Sequence, residues 1–190
     1  GAPAEQVALW RAADMAAEVE RVLGEPVAWF NDGNAACWAE FIAHQAPRPN
    51  SLAYFQVSTL VGAGIAIDGQ LWEGRTGNAA NLGAILVADA QGQARYVYTI
   101  ASLLALQQRL EATGTPPPRG DPMNWDWESL EPIVAAWLGD AGRALASAVL
   151  STRAVMEFDV AIIDGAMPRA VVKRLVARVE HHLAAFPPLA

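Results

Sequence analysis

The sequence predicts an α/β fold in which a mixed sheet is flanked by helices, and three observations carry that expectation. Helical and strand patterns follow one another as helix, strand, helix, three or four strands, helices, strand, helix, with no repeat of fixed period. The middle strands are joined by tight turns, which makes them antiparallel and argues against a simple doubly wound parallel sheet. Hydrophobic side chains make up 53% of the 190 residues and charged ones 17%, a balance that builds a sizeable core and is the opposite of that in disordered chains. A chain of this length is expected to form a single domain over residues 1–190.

The elements follow in order. Over residues 5–22 the apolar Val7, Trp10, Met15, Val19 and Val22 recur at helical spacing, and Gly24 and Pro26 supply the stop. Residues 27–30 are short, apolar and aromatic, as in a strand, and run into Asn31-Asp32-Gly33-Asn34 before an Ala-rich helix over residues 35–43. A strand end thus delivers two polar side chains to a helix start. Residues 52–57 and 65–67 read as paired strands, with Asp68-Gly69 as a tight turn into residues 70–72. Residues 74–83 are small and polar, hence a loop; residues 84–87 resume as strand, and residues 89–92 turn again.

Leu103, Leu104, Leu106 and Leu110 give a helix over residues 99–112 closed by Gly114, after which four prolines make residues 115–122 a rigid exposed loop. Residues 127–138 and 142–155 are two consecutive helical patterns. Residues 158–163 form a continuous apolar strand ending at Asp164-Gly165, and a last helix covers residues 168–183.

Charge and composition exclude several functions. With 13 Lys plus Arg against 20 Asp plus Glu, the net charge of −7 is unsuited to neutralising phosphates, so the chain by itself is not expected to bind DNA or RNA. The single Cys37 closes no internal disulfide, and His44, His181 and His182 have no partners at ligand spacing, so zinc is not expected. No apolar run approaches the ~18 residues of a membrane span, and no signal pattern opens the chain, which makes the cytoplasm the default compartment. A start at Gly1-Ala2-Pro3 without initiator methionine is expected of an excised piece carrying a tag scar.

The segment Trp29-Phe30-Asn31-Asp32-Gly33-Asn34-Ala35-Ala36, followed by Ala39-Glu40, resembles the Asn-Asp-Ala-Asn-Ala-Ala-x-x-Ala-Glu segment of the ROK family, whose members are sugar kinases and sugar-responsive repressors. In the same order, residues 61–71 resemble the family's glycine-rich hairpin, residues 74–83 the loop after it, and residues 158–165 its last strand and nucleotide-side glycine. The resemblance implies an actin-like ATPase, ribonuclease H-like fold of two lobes with sugar and nucleotide in the cleft. This chain would be mainly the C-terminal lobe. The family's Asp-x-Gly-Gly-Thr phosphate hairpin and a helix-turn-helix segment are both missing from the sequence, and DNA would be reached only through such upstream sequence.

By the same resemblance Asp32 stands where ROK kinases keep the base that accepts a sugar hydroxyl's proton, and Asn31, Gly77 and Asn81 fall on the sugar side. Capping of the next helix is the alternative role for Asn31 and Asp32. Thr59, Gly62 and Gly165 fall on the nucleotide side. Ser58, Leu60 and Ala63 replace glycines of the phosphate hairpin, and Leu60 puts a branched side chain where backbone amides need room; an ordinary packed β-hairpin accounts for these residues equally well. Where the family presents Gly-Glu-x-Gly-His, this sequence has Ala80-Asn81-Leu82-Gly83-Ala84, losing the sugar-side carboxylate and the zinc-side histidine.

Trp10, Trp127 and Trp137 are expected to pack within helices, whereas Trp29 and Trp38 flank the site. The leading expectation is a ROK-type regulator's effector domain that senses a sugar, needs no cofactor and pairs as a homodimer. The alternatives are an ATP- and Mg-dependent sugar kinase with Asp32 as base, and a scaffold whose cleft binds nothing.

Overall fold

The computed structural model describes residues 3–186, so the expected scar at Gly1-Ala2 lies outside the described residues. The chain divides into two compact units, one ending at Asn31 and one beginning at Asp32.

In the first unit the expected helix over residues 5–22 is two helices, α1 (Ala4–Ala12) and α2 (Met15–Leu23). The break comes from Asp14, whose carboxylate accepts a hydrogen bond from the Ala17 amide at 3.1 Å and so starts a new helix. Gly24, at φ 73°, closes α2 with its own amide bonded to the Glu20 carbonyl. Neither helix contains a buried residue, and Trp10 is 67% exposed, so it does not serve the packing role expected of it. Residues 27–30 form no strand: a strand exists through its ladder, and this segment pairs with no other among the described residues.

The second unit is layered. Helix α3 (Asp32–Ala43) lies on one face of a four-stranded sheet built from β1 (Leu52–Val57), β2 (Val61–Ile67), β3 (Gln70–Leu71) and β6 (Val160–Gly165) in the spatial order β3-β2-β1-β6. The β1–β2 and β2–β3 pairs are antiparallel, and β1–β6 is parallel, so the sheet is mixed as expected. The other face carries α4 (Val97–Ala101), α5 (Leu103–Ala112), α6 (Ile133–Val155) and α7 (Arg169–Ala185), with a separate hairpin of β4 (Leu86–Ala88) and β5 (Ala94–Tyr96). The sequence reading did not include β5.

Period-two alternation divides the side chains between these layers. Ala53, Phe55, Val57, Val61, Ala63 and Ile65 point into the large core, where Trp137, Leu138, Leu145 and Leu175 of α6 and α7 are fully or almost fully buried. Leu52, Tyr54 and Ala66 face α3 and meet Cys37 and Phe41. On that face β2 offers mainly Gly62, Gly64 and Ala66, which lets α3 approach the strand backbone. A Cβ on Gly33 would lie 2.5 Å from the Ala63 carbonyl oxygen, and a Cβ on Gly64 would collide with Cys37. Glycine in a helix costs about 1 kcal/mol relative to alanine, and here the close approach explains its presence.

Three helix boundaries around α5 and α6 differ from expectation. Ser102 splits the helix expected over residues 99–112: its backbone is extended, its hydroxyl accepts the Ala105 amide at 3.1 Å, and the amides of Leu103 and Leu104 bond the carbonyls of Ser58 and Thr59. Residues 127–132 are turns, because Pro132 lacks an N–H and disfavours helix at the residue before it. Trp127 packs there anyway, donating its indole N–H to the Pro122 carbonyl and lying against Trp125 and Trp137. The break expected between residues 138 and 142 is absent. α6 runs through, and Gly142 is where α7 crosses closely, a Cβ there falling 2.5 Å from Cβ of Arg178. The uninterrupted α6, unexpected from the sequence, is long and apolar enough to cross a membrane, but most of its apolar stretch is buried in the core.

The spacing generates a paired prediction. Gly33→Ala should destabilise the protein by about 1–3 kcal/mol, the cost of overpacking. Gly62→Ala should cost clearly less, since its Cβ would meet nothing nearer than 3.5 Å. Urea denaturation of both variants checks this, and equal losses would disprove the argument.

Candidate functional site

The site is built from the second unit, around the first half of β2. Asn31 is the last residue of the first unit. The Ala-rich run after it supports a helix, and α3 begins three residues earlier than expected, at Asp32 itself. Asp32 is exposed, and one carboxylate oxygen accepts the Gly33 amide at 2.9 Å. Gly33 sits over Gly62, whose Cβ position would lie 3.5 Å from the Gly33 Cα. The candidate base is therefore carried on a turn whose depth is set by glycine contacts with the hairpin strand.

The loop over residues 74–83 is tied to the same place at two points. Asn34, buried on the first turn of α3, donates its side-chain amide to the Gly77 carbonyl at 3.1 Å. Gly83 lies so close to the Val61 carbonyl that any side chain there would overlap it. Between these anchors Asn81 is exposed, at the centre of an inverse γ-turn (φ −72°, ψ 65°) closed by the Leu82 amide on the Ala80 carbonyl at 2.7 Å. The preceding Ala80 has φ 59°, a conformation that costs a non-glycine residue about 1 kcal/mol or more. Ala84 ends the short 3-10 turn that follows and offers no metal-binding atom.

Thr59, Gly62 and Gly165 fall at one end of the sheet, since Val57 pairs with Val61 on one side and with Gly165 on the other. The hairpin tip between β1 and β2 is closed on itself, with the Ser58 amide bonded to the Leu60 carbonyl at 2.8 Å and the Leu60 side chain 50% exposed. The carbonyls of Ser58 and Thr59 are taken by the start of α5.

The structure thus brings Asp32, Gly62 and Gly77 together, sets Asn81 in the loop anchored beside them, and leaves Thr59 and Gly165 along the sheet end. Asn34 was not among the site residues read from sequence. Its signal was a polar side chain among alanines, which helix patterning treats as a surface position. Trp38, expected to flank the site, stacks on Phe41 at 5.5 Å and packs on the smaller core.

Beneath Asp32, burial pushes the Cys37 thiol up to about 12. Tyr54 is also pushed up to about 12, by burial first and then by the charges of Asp164 and Glu40. Neither group ionises near neutrality, so neither is a nucleophile or base there.

The ROK family profile matches residues 4–188. N-acetylmannosamine kinase of Vibrio cholerae is 31% identical over 156 residues, 80% of this chain and 54% of that protein. The chain thus spans about half the length of this relative. Among solved structures, a ROK family glucokinase from Streptomyces griseus in complex with glucose and AMPPNP superposes with a TM-score of 0.71 at 22% identity, covering 93% of this chain and 65% of that one. A ROK family transcriptional regulator, a homologue of E. coli MLC, does so with a TM-score of 0.70 at 21% identity, covering 90% and 47%.

Two predictions follow from this geometry. Asn34→Ala should release the loop and speed tryptic cleavage after the exposed Arg75 by about 2- to 10-fold, the equivalent of one lost hydrogen bond; an unchanged rate would show that the loop holds without it. Both Cys37 and Tyr54 hold their protons in the folded state at pH values where the unfolded chain has lost them, so the unfolded state binds fewer protons above the ordinary pKa values of 9.0 and 10.0. Stability should therefore fall as pH rises from about 9 towards 12, more steeply than in Cys37→Ala or Tyr54→Phe, as read by denaturation at fixed pH values.

Proposed function

The chain belongs to the ROK family, and on that premise we propose that it is one lobe of a ROK-type sugar kinase, with Asp32 as the base for the hydroxyl that is phosphorylated. The observation that carries this reading is the placement of Asp32. An exposed carboxylate stands on the first turn of a helix whose depth is locked against the glycine hairpin, beside a loop that the same helix anchors through Asn34. General-base catalysis requires a carboxylate held within hydrogen-bond reach of the hydroxyl, and a rigid support of this kind provides it. The N-acetylmannosamine kinase relative at 31% identity supports the same reading and points to an N-acylated aminohexose or a related hexose as the sugar.

In this reading Asn81 gives the sugar a side-chain amide, both donor and acceptor like the sugar hydroxyls it meets. The Gly77 carbonyl supports the loop. The sugar hydroxyl oxygen attacks the γ-phosphorus of ATP, the bond to the ADP oxygen breaks, and Asp32 takes the hydroxyl proton. Magnesium would accompany the nucleotide, whose phosphates would lie towards Thr59, Gly62 and Gly165.

A second reading, the effector domain of a ROK-type regulator, is favoured by the hairpin tip. There the Ser58 amide is turned inward to the Leu60 carbonyl and a leucine occupies the turn, which suits a phosphate poorly. Sugar would then bind without being phosphorylated, and closure of two lobes would shift the balance between DNA-competent and DNA-incompetent states.

Sugar-dependent ADP formation by the full-length protein separates the two. The kinase reading expects turnover that Asp32→Asn lowers by about a hundred- to ten-thousandfold. A sugar-induced thermal shift with no ADP formed, together with salt-sensitive DNA binding, would replace it with the regulator.

A further inference from the structure

A cluster of arginines on the second unit involves none of the residues of the Asp32 site. An open cavity of about 730 Å³ lies between the β4–β5 hairpin, α4, α5 and α6, and Arg95, Arg109 and Arg143 all line it, with Asp89 and Asp140. It shares no lining residue with the Asp32, Gly77 and Asn81 site. Three of the 13 cationic residues of a chain with net charge −7 converge here, against two carboxylates, leaving the cavity one positive charge in excess.

The carboxylates are already engaged. Asp140 is shared, its two oxygens taking Arg109 at 2.9 Å and Arg143 at 3.3 Å. Asp89 is held mainly by its own turn, accepting the amides of Gln93 at 2.8 Å and Gln91 at 2.9 Å, with Arg95 farther off at 3.4 Å. A guanidinium carries five N–H donors. The hydrogen bonds among the described residues use one on Arg109, one on Arg143 and two on Arg95, the second going to the Gln93 side chain at 3.0 Å. Two arginines held on one half-buried carboxylate repel each other, and the arrangement gains from a further anion that takes their remaining donors. Thr99 and Gln108 add uncharged hydrogen-bonding groups to the wall, and Tyr96 and Ile100 add apolar surface.

We propose that this cavity is a binding site for a small phosphomonoester, its phosphate bridging Arg95 to the Arg109–Arg143 pair and its polar body lying along Thr99 and Gln108. A planar guanidinium fork suits the tetrahedral oxygens of a phosphate, and two or more such forks select a dianion over chloride. The volume is sufficient for a phosphorylated metabolite and too small for a polynucleotide surface, consistent with the acidic remainder of the chain.

The test is calorimetric titration of the full-length protein with inorganic phosphate and with glycerol 3-phosphate, at constant ionic strength set with chloride. Saturable binding of both is expected, weakened about tenfold or more by Arg109→Gln and by Arg95→Gln and less by Arg109→Lys. Asp140→Asn removes the competing carboxylate and should tighten binding, an outcome that a purely structural ion pair does not produce. Arg95 lies on the hairpin and does not share Asp140, so its variant tests the site even if changes at the α5–α6 pair disturb folding. Absence of saturable binding, or equal binding by the wild-type protein and the Arg95→Gln variant, would overturn the proposal.

Discussion

The close approach of α3 to β2 is the contact on which the rest of the second unit depends. Gly33 rests over the Ala63 backbone, and Cys37 fills the space above Gly64 that a side chain would need. Both glycines are costly by intrinsic propensity, one in a helix and the other in a strand. They persist because the helix must come within backbone distance of the sheet. That distance then sets where Asp32 stands, how deeply Asn34 is buried and where Asn34 can hold the following loop.

The same strand serves two purposes because its side chains alternate. The odd residues of β2 point into the core built by α6 and α7, a large apolar body stabilised by burial of residues such as Trp137 and Leu145. The even residues are small and leave the other face to α3. One face therefore holds the strand rigid while the other carries the polar groups of the site. The base proposed at Asp32 would need this kind of support.

The ends of the strands are less suited to nucleotide chemistry. At the tip between β1 and β2 the polar backbone groups are used for structure, two carbonyls starting α5 and one amide closing the turn. Glycine-rich phosphate loops work by turning amides outward. A tip that anchors a helix has less freedom to do so. On the opposite layer, charge is gathered by two helices and a hairpin from positions far apart in sequence, producing a basic cavity on an acidic chain.

The sequence alone determined most of the element types, the antiparallel pairing around Asp68-Gly69, the late apolar strand and the family to which the Asn31 to Glu40 segment points. These rest on local periodicity and turn chemistry, which residues express through their near neighbours. The tertiary structure decided what depends on distant partners. Ser102 breaks a helix because the hairpin tip claims the amides after it, and Gly142 continues one because α7 crosses there. Residues 27–30 have strand composition but no ladder to join. Asn34 belongs to the site because a carbonyl 43 positions along the chain meets its amide. The convergence of Arg95, Arg109 and Arg143 was equally invisible, since no local pattern records which side chains will share a cavity.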